Sequence, residues 1–524
     1  MGAHATSSRP TRLTPILVLL GLTALLGFIA ASDPIGIYYD DGVYTLGAQS
    51  LSQFVGYTLP YPGQPETIIK YPPLFSLLLT PFIGLAQWFG DLSSIVMTAK
   101  AFMIGLSTIT LLIFGHLLQQ LSQSNPKQTT FRIQPWSIPT LLAVIWLGTN
   151  LYWCEYSTHI MSEIPTLLLT CLTLLWCIRH QNHFHDPTAS WNRLDTVLVL
   201  LSVSTLYLRT ASLVLLLAIG LWLWLHGRRS KSIYYLAACG LAYLPWAVWT
   251  ALQAPSDYPI GSYTVVPYNE SYLREAARYY QRLIASSPNG LFEIIPEYLR
   301  HSLTLLQTLG KTMVPGTILL PTVFNSPLIN GILGSCFLLA AGIGYAIKRT
   351  NPSVQLFMVY ILFYSIMLPA WPSVDQYPRF LLLVIPVFIL LYTFCAASLT
   401  STRASFLRKS MTGLLISGII LNTAVTHWYY TRSNVGWPEL WPEYQAIFEV
   451  IKTQTQPTDV LWSRYASLYT FYTGRKTISH NITKRPECLT KANLAGCPHI
   501  NNLVQDIVWP VFTEESVDYV VIEP

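Results

Sequence analysis

Charge is what this sequence has least of. Only 11% of its 524 residues are Asp, Glu, Lys or Arg, where a soluble chain carries about 25%. With 52% hydrophobic residues and a mean hydropathy of +0.41, a soluble globular protein is excluded, and the chain reads as a polytopic membrane protein. The formal charge of +6 falls in short basic clusters between apolar runs and gathers on no single patch, so no nucleic-acid partner is implied. The eight cysteines lack metal-type spacing, and six sit in or beside apolar segments as small packed hydrophobes. The other two, Cys488 and Cys497, stand in a polar tail where a disulfide could form if that tail lies outside the membrane. A Gly-rich phosphate loop and internal repeats are missing too. The sequon Asn481-Ile482-Thr483 would matter only in a secretory pathway, which nothing else indicates.

Aromatic residues are plentiful, at 13% with 16 Trp and 31 Tyr, as suits rings seated at membrane interfaces or around a sugar or lipid. The first apolar run, residues 13–32, is long enough to span about 30 Å and follows a short basic start with Arg9 and Arg12. No small-residue cleavage site leads into a mature soluble domain, so it reads as a retained first helix with a cytoplasmic N-terminus. Later basic clusters close apolar runs at Lys127/Arg132, Arg179/Arg193, Arg228/Arg229/Lys231, Lys348/Arg349 and Arg403/Arg408/Lys409. The positive-inside rule places them all on the cytoplasmic side.

That assignment orders the remaining runs. Residues 74–90 carry Pro81 and cannot cross if 94–121 returns to the cytoplasm, so they are expected to lie as a juxtamembrane helix in the outer interface. Runs at 135–153, 163–177, 195–208, 210–225, 234–252, 328–347, 354–370, 380–399 and 411–430 bring the total to about eleven crossings, with 154–162 as a short outer loop. Residues 33–93 then form a first external loop, and 253–327 another with partly embedded helices such as 269–283. An odd number of crossings leaves the tail outside. The expected division is a transmembrane catalytic domain over 1–430 and a small external α/β domain over 431–524, with helices at 439–452 and 464–472 and strands at 459–462 and 518–522.

Polar chemistry concentrates in residues 38–73, directly after the first apolar run. Asp40 and Asp41 stand at the start of a helical pattern over 41–53, where a helix N-terminus favours negative charge. One of them suits a general base taking a proton from an attacking hydroxyl or amine, and one residue of helix register decides which points into a cavity. Glu163, in Ser162-Glu163-Ile164-Pro165, opens a later helix on the same predicted surface. It could orient an acceptor or ligate a divalent metal with Asp40, and Glu155 and His159 could belong to that site. Lys70, Arg209 and Arg379 each stand at the outer end of an apolar segment, where three cations suit the phosphate of a lipid leaving group. Tyr39, Tyr44, Tyr71 and Tyr377 are accessory candidates beside them.

These residues resemble those of the GT-C superfamily of membrane glycosyltransferases, and in particular the family 39 protein O-mannosyltransferases and the bacterial lipid A aminoarabinose transferases. The resemblance rests on Tyr39-Asp40-Asp41-Gly42-Val43-Tyr44, Lys70-Tyr71-Pro72-Pro73-Leu74, Glu163, Leu208-Arg209 and Tyr377-Pro378-Arg379-Phe380-Leu381, and spans residues 13 to about 430. It implies a polyprenyl-phosphate sugar donor, an outward-facing site in a cytoplasmic (inner) membrane, inversion at the anomeric carbon and Asp40 as base. A metal is not required by it, because some relatives use one and others do not. Two departures bear on the acceptor, which would be lipid A, a glycan or a protein of the envelope: those relatives carry Asp-Glu where this chain has Asp40-Asp41, and no carbohydrate-binding module is inserted here. The rival class is a transporter or flippase of lipid-linked precursors. A transporter would call for ionisable groups near the bilayer midplane and paired broken helices in two halves, and neither is visible.

Overall fold

The computed structural model describes the chain apart from residues 1–12, 31–33, 62–64, 91, 123–135, 187–189, 254–271, 287–289, 315–325, 372–373, 399–404, 434–435, 464, 479–517 and 522–524. The chain divides into two compact units. One comprises Met1–Ala31, Lys100–Pro245 and Leu291–Asn434; the other comprises Ser32–Ala99, Trp246–Gly290 and Val435–Pro524.

The chain is a multi-pass helical membrane protein. Among the described residues, five helices are long and apolar enough to cross a membrane: Leu13–Ala30, Leu92–Leu121, Arg229–Gln253, Pro327–Lys348 and Pro352–Ala370. Leu151–Thr158 and Glu163–Arg179 together make a sixth candidate, although they meet at 109°. Other apolar runs form shorter helices, among them Leu74–Trp88, Ile138–Gly148 and Arg193–Leu208.

Caps explain several of these breaks. The run at 135–153 divides because the Asn150 side chain accepts hydrogen bonds from the Tyr152 and Trp153 N–H groups at 3.1 and 3.4 Å, which starts a new helix. That helix, Leu151–Thr158, occupies half of what the sequence presents as an outer loop over 154–162. The run at 380–399 is split likewise, into Tyr377–Leu381 and Ile385–Ser398, with Pro378 and Pro386 at the second position of each. Proline fits the first turn, where its missing N–H costs no intrahelical bond. The stretch 253–327 is more helical than a loop, holding Tyr272–Ser286 and the 20-residue Ile294–Met313. The latter packs on Pro327–Lys348 so closely that a Cβ on Gly310 would lie 2.0 Å from the Asn330 carbonyl oxygen.

In the other unit the helix Asp40–Ser52 leads into a small antiparallel hairpin, Thr58–Leu59 with Glu66–Thr67, and then the helix Leu74–Trp88. The tail contributes a three-stranded parallel sheet with Val460–Trp462 between Lys476–Ile478 and Tyr519–Val520. Helices Gly436–Gln454 and Ala466–Thr473 accompany it, around a core of Tyr444, Phe448, Ile451, Leu461, Leu468 and Tyr469. The helices and the strand at 459–462 stand where the sequence pattern predicts them; Lys476–Ile478 is an added strand. The tail touches the first loop within this unit, through an ion pair of Lys476 with Glu66 at 2.8 Å and a hydrogen bond from the Ile35 N–H to the Tyr472 hydroxyl at 3.3 Å. Cys488, Cys497 and the sequon lie outside the described residues.

Candidate active site

The two adjacent acids have different surroundings. Asp41 is 1% exposed, and both of its carboxylate oxygens are taken by backbone: Gly36 N–H donates to Oδ2 and Gly42 N–H to Oδ1, each at 2.8 Å. Burial pushes its pKa from the ordinary 3.8 up to about 7, against the lowering effect of those two hydrogen bonds. Asp40, 8% exposed, receives a short hydrogen bond from the Tyr71 hydroxyl on Oδ1. Tyr71 is in turn fixed edge-to-face on Tyr44, with ring centroids 5.1 Å apart, and its carbonyl accepts from the Tyr57 hydroxyl at 3.0 Å.

The backbone aims Asp40. Tyr39 has φ 60° and ψ −57°, and the Asp40 N–H reaches back to the Tyr38 carbonyl at 2.6 Å. This is a γ-turn of the positive-φ kind, rare and strained for a residue with a side chain. It forces an abrupt entry into the helix Asp40–Ser52, so that adjacent carboxylates diverge, one toward Tyr71 and one back toward Gly36.

Glu163, Arg209 and Arg379 come together in the other unit. Glu163 is fully buried at the N-terminus of Glu163–Arg179, and its Oε1 accepts from both the Arg209 Nη1 and the Arg379 Nε, each in a short contact. Its Oε2 is buried with no hydrogen-bond partner among the described residues. Arg209 sits in extended backbone between the helices Arg193–Leu208 and Leu213–Leu225, as the sequence places it, and its guanidinium lies 4.8 Å from the centre of the Phe380 ring. Arg379 belongs to the short helix Tyr377–Leu381, whose Tyr377 hydroxyl donates to the Trp371 carbonyl at 3.3 Å.

Lys70 is buried at 8% exposure and pairs with Glu275 at 3.0 Å, close in charge contact though not aligned as a hydrogen bond. Glu275 stands on the helix Tyr272–Ser286 and is a site neighbour that sequence reading missed, because nothing local links it to Lys70 across about two hundred residues. His159 turns its Nδ1 to the Glu155 carbonyl at 2.6 Å, closing the helix Leu151–Thr158 instead of presenting that nitrogen to a ligand.

No family model matches the chain, and neither does any curated protein. Among solved structures, the chain is similar to ArnT from Cupriavidus metallidurans bound to undecaprenyl phosphate, with 10% identity and a TM-score of 0.49 over 89% of this chain and 86% of that one. It is similar to the apo state of the same protein as well, with 9% identity and a TM-score of 0.48 over 88% and 85%.

Asp40 and Glu163, the two candidate metal ligands, fall in different units. Among the described residues no group of three or more His, Cys, Asp or Glu is arranged to hold a metal ion. The candidate site residues themselves supply a carboxylate with a phenolic donor, a pair of arginines around one carboxylate, and a lysine paired with a glutamate.

Proposed function

We propose that the chain is an integral-membrane glycosyltransferase that moves one sugar from a polyprenyl-phosphate donor, such as undecaprenyl phosphate, to an envelope acceptor. The site and the tail face outward from the cytoplasmic membrane, the N-terminus lies inside, and the shorter and bent helices complete about eleven passages through or into the bilayer. The transmembrane catalytic part runs to about residue 430 and the α/β part follows it.

The observation that carries this reading is the divergence of the two acids. Asp41 has both oxygens committed to backbone N–H groups, whereas Asp40 is met on Oδ1 by a phenolic hydroxyl. Asp40 is then the base. It takes the proton of the acceptor hydroxyl or amine as that atom attacks the sugar C1 from the face opposite the phosphate. The C1–O bond breaks, its electron pair stays on the phosphate oxygen, and the carrier leaves as a free phosphate with inversion at C1. Lys70, Arg209 and Arg379 meet the charge that develops on that oxygen. Glu163 serves them as the counter-charge that holds two guanidinium groups in one place, in preference to orienting the acceptor.

The test is sugar transfer from a radiolabelled polyprenyl-phosphate sugar pool by the purified full chain. Asp40→Asn should bind carrier normally and lose transfer by roughly 10²- to 10⁴-fold, while Asp41→Asn, short of one acceptor for the backbone N–H groups, should lose only about threefold to tenfold. Wild-type transfer by Asp40→Asn would sink the base assignment. Failure of the wild type to bind any carrier would favour the transporter class.

A further inference from the structure

The segment from Gly36 to Gly42 contains the strained turn at Tyr39 that directs Asp40 to Tyr71. A strained backbone of this kind persists only where its surroundings over-determine it. Part of the restraint is internal, since the Asp41 carboxylate bridges the N–H groups of Gly36 and Gly42 at the two ends of the segment. Another part comes from the tail.

The helix Ala466–Thr473 lies against both ends. Ser467, buried at 4% exposure, donates its hydroxyl to the Gly36 carbonyl at 3.0 Å. Gly36 has φ +101°, and a Cβ there would lie 2.4 Å from the Leu468 Cα, so neither its conformation nor its space admits a side chain. Gly42 is equally close, with its would-be Cβ 2.5 Å from the Ser467 Cβ. The helix is itself anchored, because Leu468 and Tyr469 are members of the tail core. One short helix, some 430 residues away in sequence, thus grips the segment by its two glycines.

We propose that Ser467 is a positioning residue for Asp40, so that the C-terminal α/β unit is part of the catalytic apparatus and not an appended module. The proposal rests on Asp40 being the base. The Tyr71 hydroxyl holds the Asp40 carboxylate in place by donating to it. A slackened turn lengthens that bond and lets Asp40 swing away from the position from which it reaches the acceptor. The signature is thus a fall in kcat, counted per carrier-binding protein, with unchanged donor KM. Mere destabilisation of the tail would lower the amount of carrier-binding protein and leave kcat per binding protein unchanged.

The experiment compares Ser467→Ala, Gly42→Ala and the double variant Gly42→Ala/Ser467→Gly with Asp40→Asn in the full chain, using the same labelled donor pool. Ser467→Ala removes a single hydrogen bond and should lower kcat about threefold to tenfold, with donor KM unchanged. Gly42→Ala drives a methyl group into Ser467 and should cost roughly tenfold to a hundredfold. The double variant deletes the atom that methyl strikes and should return to the level of the Ser467 change alone. Should Gly42→Ala fail to fold, Ser467→Ala still decides by its kcat per carrier-binding protein. If Asp40→Asn is inactive while Ser467→Ala keeps the wild-type kcat per carrier-binding protein, the positioning role is wrong and the base assignment stands. If Asp40→Asn transfers sugar as the wild type does, the base assignment itself falls, and the proposal with it.

Discussion

Two carboxylates in this molecule begin as the same device. Asp40 and Glu163 each open a buried helix, Asp40–Ser52 and Glu163–Arg179, where the N-terminal end favours negative charge. Their partners then separate them. Asp40 is met by a neutral phenol and by a neighbour, Asp41, that is itself satisfied by backbone. Glu163 is met by two full cations on the same oxygen. The lesson is that an acid at a helix start in a membrane protein is not typed by its position. A neutral partner leaves it able to accept a proton, and a pair of guanidinium groups makes it a fixed counter-charge.

The comparison breaks most sharply at Glu163. Glu163→Ala would leave Arg209 and Arg379, each no more than 8% exposed, without their shared counter-charge. Removing one partner of a buried ion pair costs about 3–5 kcal/mol, so the variant should melt well below the wild type or be recovered poorly in detergent. Glu163→Gln keeps the shape and an acceptor oxygen and should fall in between. Asp40→Asn should lose less than Glu163→Ala, because an amide oxygen can still accept from the Tyr71 hydroxyl. Equal losses of thermal stability in Glu163→Ala and Asp40→Asn would erase the distinction between the two sites.

A smaller effect separates Asp41 from its neighbour. Its pKa is raised to about 7 in the folded chain, against 3.8 ordinarily. Between those values the folded state holds a proton that the unfolded state has released, so stability falls as pH rises toward 7 and is level above it. From pH 5 to 8 the loss from this one group is about 2–3 kcal/mol. Asp41→Asn cannot ionise, and its melting temperature should depend less on pH over that interval than the wild type's does. Parallel melting profiles for the two proteins would show that Asp41 is not the buried proton-holder. The same substitution exchanges one acceptor oxygen for a donor and loosens the segment 36–42, so transfer should fall about threefold to tenfold, far less than in Asp40→Asn, which keeps the two acids distinguishable by assay.

Much of this arrangement was legible before any coordinates, and the remainder was hidden for physical reasons. Low charge and long apolar runs announced the membrane helices, and the acid pair announced a helix start. A cation stranded at the tip between two apolar runs, Arg209, announced a partner, though not that the partner is Glu163 and is shared with Arg379. Which of Asp40 and Asp41 turns to Tyr71 depends on a positive-φ turn at Tyr39, a residue type that gives no warning of it. Asn150 could have been read as a helix start from its place before an apolar run, which would have shortened the predicted outer loop. Ser467 on Gly36 and Glu275 on Lys70 are contacts between distant segments with no local periodicity, so no spacing rule reaches them.

The mildest test of the contrast between neutral and charged partners concerns that last pair. Lys70 is buried and Glu275 only partly so, at 8% and 26% exposure. An ion pair with one side open to solvent contributes up to about 1 kcal/mol. If Lys70 takes the donor phosphate, the phosphate must replace Glu275 there, and the lost pair is subtracted from donor affinity. Glu275→Gln removes the competing charge while keeping the side-chain volume, so undecaprenyl phosphate in nanodiscs should bind about twofold to fivefold more tightly. Donor KM should fall with kcat unchanged, since the contact is given up before the chemistry begins. In a Lys70→Met background the Glu275 substitution should have no further effect on binding. Tighter binding by Glu275→Gln in that background would place the action of Glu275 elsewhere. Unchanged binding in the wild-type background would mean that Lys70 does not meet the phosphate at all, which would leave Arg209 and Arg379 to hold it under the control of Glu163.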